Sequence, residues 1–272
     1  MPTQLTVRST EQLTPHLVRV HFSGDLAGFA DSVDTDRYVK LIFQQPGVDH
    51  PDPLDLNALR GTLPPEQMPI LRTYTVRSLD VPAGTLAIDF VVHGDEGVAG
   101  PWAAAAQPGD VILANGPGGG YAPRPDVDWH LLGSDEAGLP AVAAAIESLP
   151  AGAVARVLVE VADEDDVIEL GEGENVEVTW LLRGAASHDV PDDRAGRHAP
   201  LVQAIRDLEW LPGTVQVFVH GEAAAVMHGV RPFLFKEKGL PRDAVSISGY
   251  WRRGRTEEGF REWKQDLARS EA

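Results

Sequence analysis

The chain has 272 residues, enough for one large domain or two ordinary ones, and its 43% hydrophobic content supplies real cores. A formal charge of −18 argues against nucleic acid or an anionic membrane as the main partner, and it sends any anionic ligand to a locally basic pocket. The absence of cysteine excludes disulfides, thiolate metal sites, iron–sulfur clusters and cysteine nucleophiles.

The N-terminus, Met1-Pro2-Thr3-Gln4-Leu5-Thr6-Val7, has neither the basic nor the apolar region of a leader. No stretch approaches the roughly 18 apolar residues of a spanning helix, so the expectation is a cytoplasmic protein without membrane insertion. Residues 4–124 read as short strands: Leu5–Val7, Leu17–Phe22, Tyr38–Phe43, Arg72–Ser78, Leu86–His93 and Asp110–Ala114. Gly, Pro and Asp clusters separate them, the spacing of an antiparallel barrel or sandwich. Residues 46–70, rich in Pro, Asp and Leu, form a long excursion of the kind that carries function or moves.

Two stretches in this half stand out. Strand Arg72-Thr73-Tyr74-Thr75-Val76-Arg77-Ser78 puts Thr73, Thr75 and Arg77 on one face and Arg72, Tyr74 and Val76 on the other. An arginine and a phenol on one face suit a planar, phosphorylated ligand. The plain alternative is a surface Thr/Arg ladder. After His93-Gly94-Asp95-Glu96, the run Gly97-Val98-Ala99-Gly100-Pro101-Trp102 leads into four alanines, a helix start with proline in its first turn. Free N–H groups there would cradle a pyrophosphate, and an ordinary tight turn is the alternative. Gly116-Pro117-Gly118-Gly119-Gly120 looks like a dinucleotide fingerprint, but Pro123 and Pro125 cannot open the required helix. It reads as a turn and a boundary between domains 1–124 and 125–272.

From Asp128 the periodicity changes. Strands are expected at Trp129–Gly133, Ala153–Val161, Val176–Leu182, Val215–Val219 and Val245–Trp251. Helices are expected at Leu139–Leu149, Leu201–Leu208, Ala223–Lys238 and from about Thr256. Alternation of this kind predicts a doubly wound parallel sheet with ligands at the carboxyl ends of its strands. Ser134, Asp135, Glu136, Arg183, Gly184, Gly221, Glu222 and the run Gly249 to Arg252 lie at those ends. The acidic run Asp163–Asp166 has no metal-ligand spacing, no histidine pair sits on a helix, and no metal site is expected. Neither a GxSxG elbow nor a P-loop occurs.

These elements together are similar to the ferredoxin-reductase superfamily, and within it the chain resembles the siderophore-interacting, FAD-dependent ferric-siderophore reductases. The resemblance rests on Arg72 to Arg77, on Asp89-Phe90-Val91-Val92-His93-Gly94, and on Gly97 to Ala103. It continues through Ser134-Asp135-Glu136-Ala137-Gly138-Leu139-Pro140-Ala141, Gly221-Glu222 and Gly249 to Gly254, followed by Glu257-Glu258. It implies an N-terminal antiparallel Greek-key β-barrel for FAD and a C-terminal parallel sheet for NADPH or NADH. By resemblance, Arg72, Tyr74 and Thr75 hold the flavin and pyrophosphate, Val91 and His93 border the ring, and Gly97, Ala99, Gly100 and Trp102 take the phosphates. Ser134, Asp135, Glu136, Gly221, Glu222 and Trp251 would meet the nicotinamide nucleotide. Arg183 is the candidate for a 2′-phosphate, with a purely structural arginine as the alternative.

The implied activity is reduction of an Fe(III)-siderophore by NAD(P)H through FAD, releasing Fe(II) for intracellular iron assimilation, with no catalytic acid or base needed. A ferredoxin is an alternative electron source. Bulky, anionic chelates call for a cationic patch, assigned to Lys40 with Arg252 or Arg253; an edge-strand lysine and a core Trp251 are the plain alternatives. Three positions depart from the family pattern: Gly100 for serine, Val98 for proline and Ala137 for threonine. Each lost hydroxyl would weaken FAD binding by about 1 kcal/mol. Two other functions stay open, a general flavin or ferredoxin-type reductase on the same fold and a non-catalytic ferric-chelate binder.

Overall fold

The computed structural model describes residues 2–51, 53–94, 97–171, 173–255, 259, 260, 263 and 269. The chain forms two compact units, Met1–Gly120 and Tyr121–Ala272. No helix among the described residues is long and apolar enough to cross a membrane.

The first unit is a closed barrel of β1 (Thr3–Thr14), β2 (Leu17–Gly24), β3 (Tyr38–Phe43), β4 (Ile70–Asp80), β5 (Thr85–Val91) and β6 (Val111–Gly118). Its strand order is β1-β2-β5-β4-β3-β6, and every pairing is antiparallel. The meander β3-β4-β5 returns beside β2, which makes a Greek key. Period-2 alternation drives closure: Leu5, Val20, Phe22, Val39, Leu41, Ile88 and Phe90 all point inward and are fully or nearly fully buried. The excursion after β3 holds helix α1 (Leu56–Arg60), whose Asp55 cap accepts from the Asn57 and Ala58 N–H groups. Leu54 and Leu59 pack on Ile42, so the segment covers the outer face of the barrel there.

One sequence expectation is corrected here. Gly116-Pro117-Gly118 is not a turn; β6 runs through it and pairs Gly118 with Tyr38. The Tyr38 ring lies so close that a β-carbon added at Gly118 would come within 2.4 Å of it, and only glycine admits that approach.

The second unit is a five-stranded parallel sheet in the order β11-β10-β7-β8-β9. Its strands are β7 (Trp129–Asp135), β8 (Ala155–Val161), β9 (Val176–Leu182), β10 (Val215–Glu222) and β11 (Val245–Trp251). Sequence order reverses between β7 and β10, the switch point of a doubly wound sheet. Every residue of β7 is buried, as expected of a central strand covered on both faces. The strand continues two residues past the expected Gly133, which draws Ser134 and Asp135 into the sheet.

Helices α2 (Ala99–Ala105), α3 (Leu139–Glu147) and α4 (Pro200–Asp207) complete the regular elements, α2 in the first unit and the others in the second. The helix expected over Ala223–Lys238 is wound wide, with π-helical turns at Ala225–Val230 and Phe233–Glu237. Pro232 has no N–H for the i−4 carbonyl, which favours the wider winding. Of the last expected helix, Gly259, Phe260, Trp263 and Arg269 are helical; Thr256 and the motif residues Glu257 and Glu258 lie outside the described residues, as do Asp95 and Glu96.

Candidate functional site

In the first unit the expected flavin strand is β4. Cross-strand register sets Arg72 opposite Leu41 and Tyr74 opposite Val39, both core residues, and Thr75 opposite Tyr38. Arg72 and Tyr74 therefore share the inward side of the sheet. The Tyr74 ring centroid lies 4.4 Å from that of Phe90, and an Arg72 Nη1–H donates to the Leu71 carbonyl at 3.0 Å. Lys40 sits opposite Thr73 and Asn115, on the other face from Arg72 and Tyr74. It is exposed and has no hydrogen-bond or ion-pair partner among the described residues.

Val91 ends β5, and His93 follows it at the surface. Gly97 has φ +81°, and nothing lies within 4 Å of the β-carbon it lacks, so the backbone there faces open space. Val98 gives α2 no side-chain cap, which leaves the first-turn N–H groups for an external acceptor. Ala99 is buried against the barrel core. At Gly100 an added β-carbon would meet the Val91 carbonyl at 3.2 Å, a tight contact where the helix start presses on the end of β5. An open, left-handed glycine before an uncapped helix start fits the phosphates of FAD.

Trp102 has a packing role that its place in the motif did not indicate. Its ring lies 6.2 Å from Phe22 and 5.9 Å from both Phe43 and Phe90, and its backbone N–H donates to the Val98 carbonyl. The indole anchors α2 in the barrel, and the backbone N–H is taken within the helix.

In the second unit the residues singled out at the strand ends do converge. The Asp135 carboxylate sits over Gly221, where a β-carbon would come within 2.9 Å of it. Its Oδ1 accepts from the Ala137 and Gly138 N–H groups at 3.0 and 3.3 Å. Its Oδ2 accepts from the Glu222 N–H at 2.8 Å and from Trp251 Nε1 at 2.7 Å. Burial nevertheless pushes this carboxyl up to about 7, helped by the Glu136 and Glu160 charges and opposed by Trp251 and Arg183. Glu222 repeats the clamp: Oε1 takes Arg252 Nη1 at 2.8 Å and the Arg253 N–H at 3.2 Å, and Oε2 caps Ala225 N at 2.8 Å. Ser134 Oγ, fully buried beside them, has no hydrogen-bond partner among the described residues.

Three expectations change here. Arg183 is 4% exposed, and its guanidinium is gripped by Glu136 and, at 3.1 Å, by Glu160. Burial works against its charge, but the two carboxylates outweigh that and raise its pKa. It is a structural arginine, closed to a 2′-phosphate. Arg252 and Arg253 are also neutralised, by Glu222 and by Asp192 at 2.7 Å, so neither offers the uncompensated charge expected for a chelate.

Two residues of this region went unnoticed in the sequence. Glu160 is a lone acid inside the apolar run Val157-Leu158-Val159-Glu160-Val161, a signal that could have been used. Its Oε2 accepts from Leu201 N, at the start of α4, at 2.9 Å, and burial raises its pKa against the pull of Arg183. Arg194 lies in a polar loop with no sequence signal, yet it lines a cavity at the strand ends with Asp135, Glu160, Arg183, Glu222 and Trp251.

Comparison with known proteins gives the same division. The family model for the siderophore-interacting FAD-binding domain matches residues 6–121, and that for the siderophore-interacting protein matches residues 127–254. The uncharacterized protein Rv2895c of Mycobacterium tuberculosis is 52% identical over 271 residues, covering 98% of this chain and 95% of that one. The ferric vibriobactin reductase ViuB of Vibrio cholerae is 32% identical, covering 92% of this chain and 89% of its own. Among solved structures, a siderophore utilization protein from T. fusca superposes with a TM-score of 0.77 at 38% identity, covering 94% of each chain.

Proposed function

The chain belongs to the siderophore-interacting protein family, and on that premise we propose that it is an NAD(P)H-dependent ferric-siderophore reductase serving intracellular iron assimilation. The observation that carries this reading is its 32% identity to a ferric vibriobactin reductase over an alignment covering 92% of the chain. FAD, when bound, supplies the chemistry that turns a two-electron donor into single-electron deliveries. The chain's own residues bind and orient. Arg72 holds phosphate charge beside the Tyr74 ring, Thr75 adds a hydroxyl, and Val91 and His93 border the ring. The backbone at Gly97, Ala99 and Gly100 receives the pyrophosphate. In the second unit the Asp135 and Glu222 clamps fix the strand ends, with Ser134 and Gly221 buried there, so that Trp251 presents a set surface to the nicotinamide nucleotide. Lys40, lacking an acidic partner among the described residues, attracts an anionic chelate against the −18 background.

Fe(III) is the substrate. Its reduction releases iron because hard oxygen donors hold Fe(II) less tightly than Fe(III). Electrons rather than protons reach the metal, so the site needs no general acid or base.

The test begins with the visible spectrum of the purified protein. Flavin bands near about 450 nm, or their appearance after reconstitution with FAD, are expected. NADPH or NADH with a ferric siderophore and an Fe(II)-specific trap should then yield trapped Fe(II). A protein that cannot be loaded with FAD, or that is reduced by nicotinamide without releasing Fe(II), would overturn the proposal.

A further inference from the structure

We propose that Asp135 is a positioning residue whose carboxylate holds the Trp251 indole in place for the nicotinamide nucleotide, and that a proton taken by that carboxylate releases the indole. The inference rests on the reductase reading only for the nucleotide; the clamp and its release stand on the second unit alone.

An ionised carboxylate offers about four lone-pair sites and no donor. Those of Asp135 meet four donors: the Ala137 and Gly138 N–H groups on Oδ1, and the Glu222 N–H and Trp251 Nε1 on Oδ2. A proton arriving here adds a fifth hydrogen to a full set, so one donor has to leave. The four are not equally able to do so. Ala137 and Gly138 lead into α3, and the Glu222 N–H belongs to β10, which is held in register with β11. Moving any of these three disrupts an element. The carboxylate cannot turn aside, because it packs over Gly221, where an added β-carbon would come within 2.9 Å of it. The indole alone is a side chain. Its backbone stays paired with Glu222 while the half-exposed ring turns about its own side-chain bonds. Asp135 is its one hydrogen-bond partner among the described residues, so no second bond retains it.

The surrounding charges bring this proton within reach of neutral solution. Glu136 follows Asp135 in the chain, Glu160 lies on β8 and Glu222 on β10, while the first turn of α3 adds no acid. Arg183 is taken by Glu136 and Glu160, Arg252 by Glu222 and Arg253 by Asp192, and Arg194 donates to the Arg183 carbonyl. None of these arginines donates to Asp135. Burial, with the Glu136 and Glu160 charges and against Trp251 and Arg183, pushes the carboxyl up to about 7. The held indole therefore belongs to mildly alkaline solution and the released one to mildly acid solution.

Trp251 ends β11 at the carboxyl edge of a doubly wound sheet, the edge at which such sheets bind ligands. An aromatic ring already fixed by a charge-assisted bond needs no ordering when a flat ligand arrives, whereas a free ring does. Nucleotide affinity thus follows the charge on Asp135.

The experiment follows the indole N–H signals of the isotope-labelled, FAD-loaded protein by NMR from about pH 5.5 to about pH 8.5, which requires no turnover. The chain has 6 tryptophans, and Trp251→Phe identifies the signal that belongs to Trp251. That signal should move upfield and exchange faster with solvent as pH falls, and in Asp135→Asn it should keep its acid position at every pH. Calorimetric titration with NAD+, whose diester phosphates do not titrate in this range, should show binding about tenfold weaker at the acid end, the worth of one charge-assisted hydrogen bond. Trp251→Phe keeps an aromatic ring and the three backbone donors, so it tests the clamp even where Asp135→Asn fails to fold. Its NAD+ binding should be weak and flat across the range. A Trp251 signal that ignores pH, a titration that survives in Asp135→Asn, or binding that stays pH-dependent in Trp251→Phe would overturn the proposal. A titrating indole in a protein that binds neither NAD+ nor NADP+ would leave the release standing and remove the reductase reading instead.

Discussion

Trp251 Nε1 donates to Asp135 Oδ2 at 2.7 Å, tying the end of β11 to the end of β7 across the intervening β10. The same oxygen takes the Glu222 N–H of β10, so one carboxylate joins three neighbouring strands at their carboxyl ends. Trp251 is thereby a positioned residue, not a loose aromatic at the end of a strand.

This clamp carries a pH signature. Burial raises the Asp135 carboxyl from an ordinary 3.8 to about 7 in the folded chain. Between those values the folded protein holds a proton that the unfolded chain has released. The stability this group contributes is therefore complete below the unfolded value and is lost as pH rises through the folded one, by up to about 1.4 kcal/mol per pH unit. Urea unfolding of Asp135→Asn should show a shallower decline between about pH 5 and 7 than the unaltered protein. Parallel profiles would place the titration at another group.

Removing Arg183 leaves Glu136 and Glu160 facing each other without their shared cation. Arg183→Met should cost about 3–5 kcal/mol at neutral pH, read by chemical denaturation. The loss should shrink in acid, because Glu160 already titrates high and sheds its charge early. A variant of unchanged stability that binds nicotinamide nucleotide poorly would restore Arg183 to ligand recognition.

In the first unit, Trp102→Ala opens a hole among Phe22, Phe43 and Phe90 and should destabilise that unit by about 3–5 kcal/mol, measured as a fall in melting temperature. Gly97→Ala meets no neighbour but forces φ +81° on a residue with a β-carbon, at about 1–2 kcal/mol. Its expected readout is faster FAD loss on dilution with the barrel still folded. Normal FAD retention would move the phosphate contact away from this turn.

Lys40→Ala should raise KM for an anionic ferric chelate several-fold while nicotinamide oxidation with a neutral acceptor stays unchanged, since the lysine points away from the Arg72 and Tyr74 side of the sheet. Equal losses with both acceptors would assign Lys40 to folding or to flavin support.

The sequence alone determined what depends on short-range pattern. Alternation at period 2 located all six barrel strands, the change to mixed strand and helix periodicity located the parallel sheet, and proline with alanines located α2. Family likeness then named a cofactor for Arg72 and Tyr74. What only the tertiary structure decided depends on partners distant in the chain. Arg183 meets Glu136 from 47 residues away and Glu160 from 23, and that pairing turns an apparent phosphate receptor into an internal tie. Gly118 continues a strand by pairing with Tyr38, and Lys40 takes the face opposite Arg72 and Tyr74 because register, not order, sets which side a residue takes. Arg194 in its polar loop carries no local signal at all. It reaches the strand ends, where Arg183, Arg252 and Arg253 each meet an acid, only once the chain is folded.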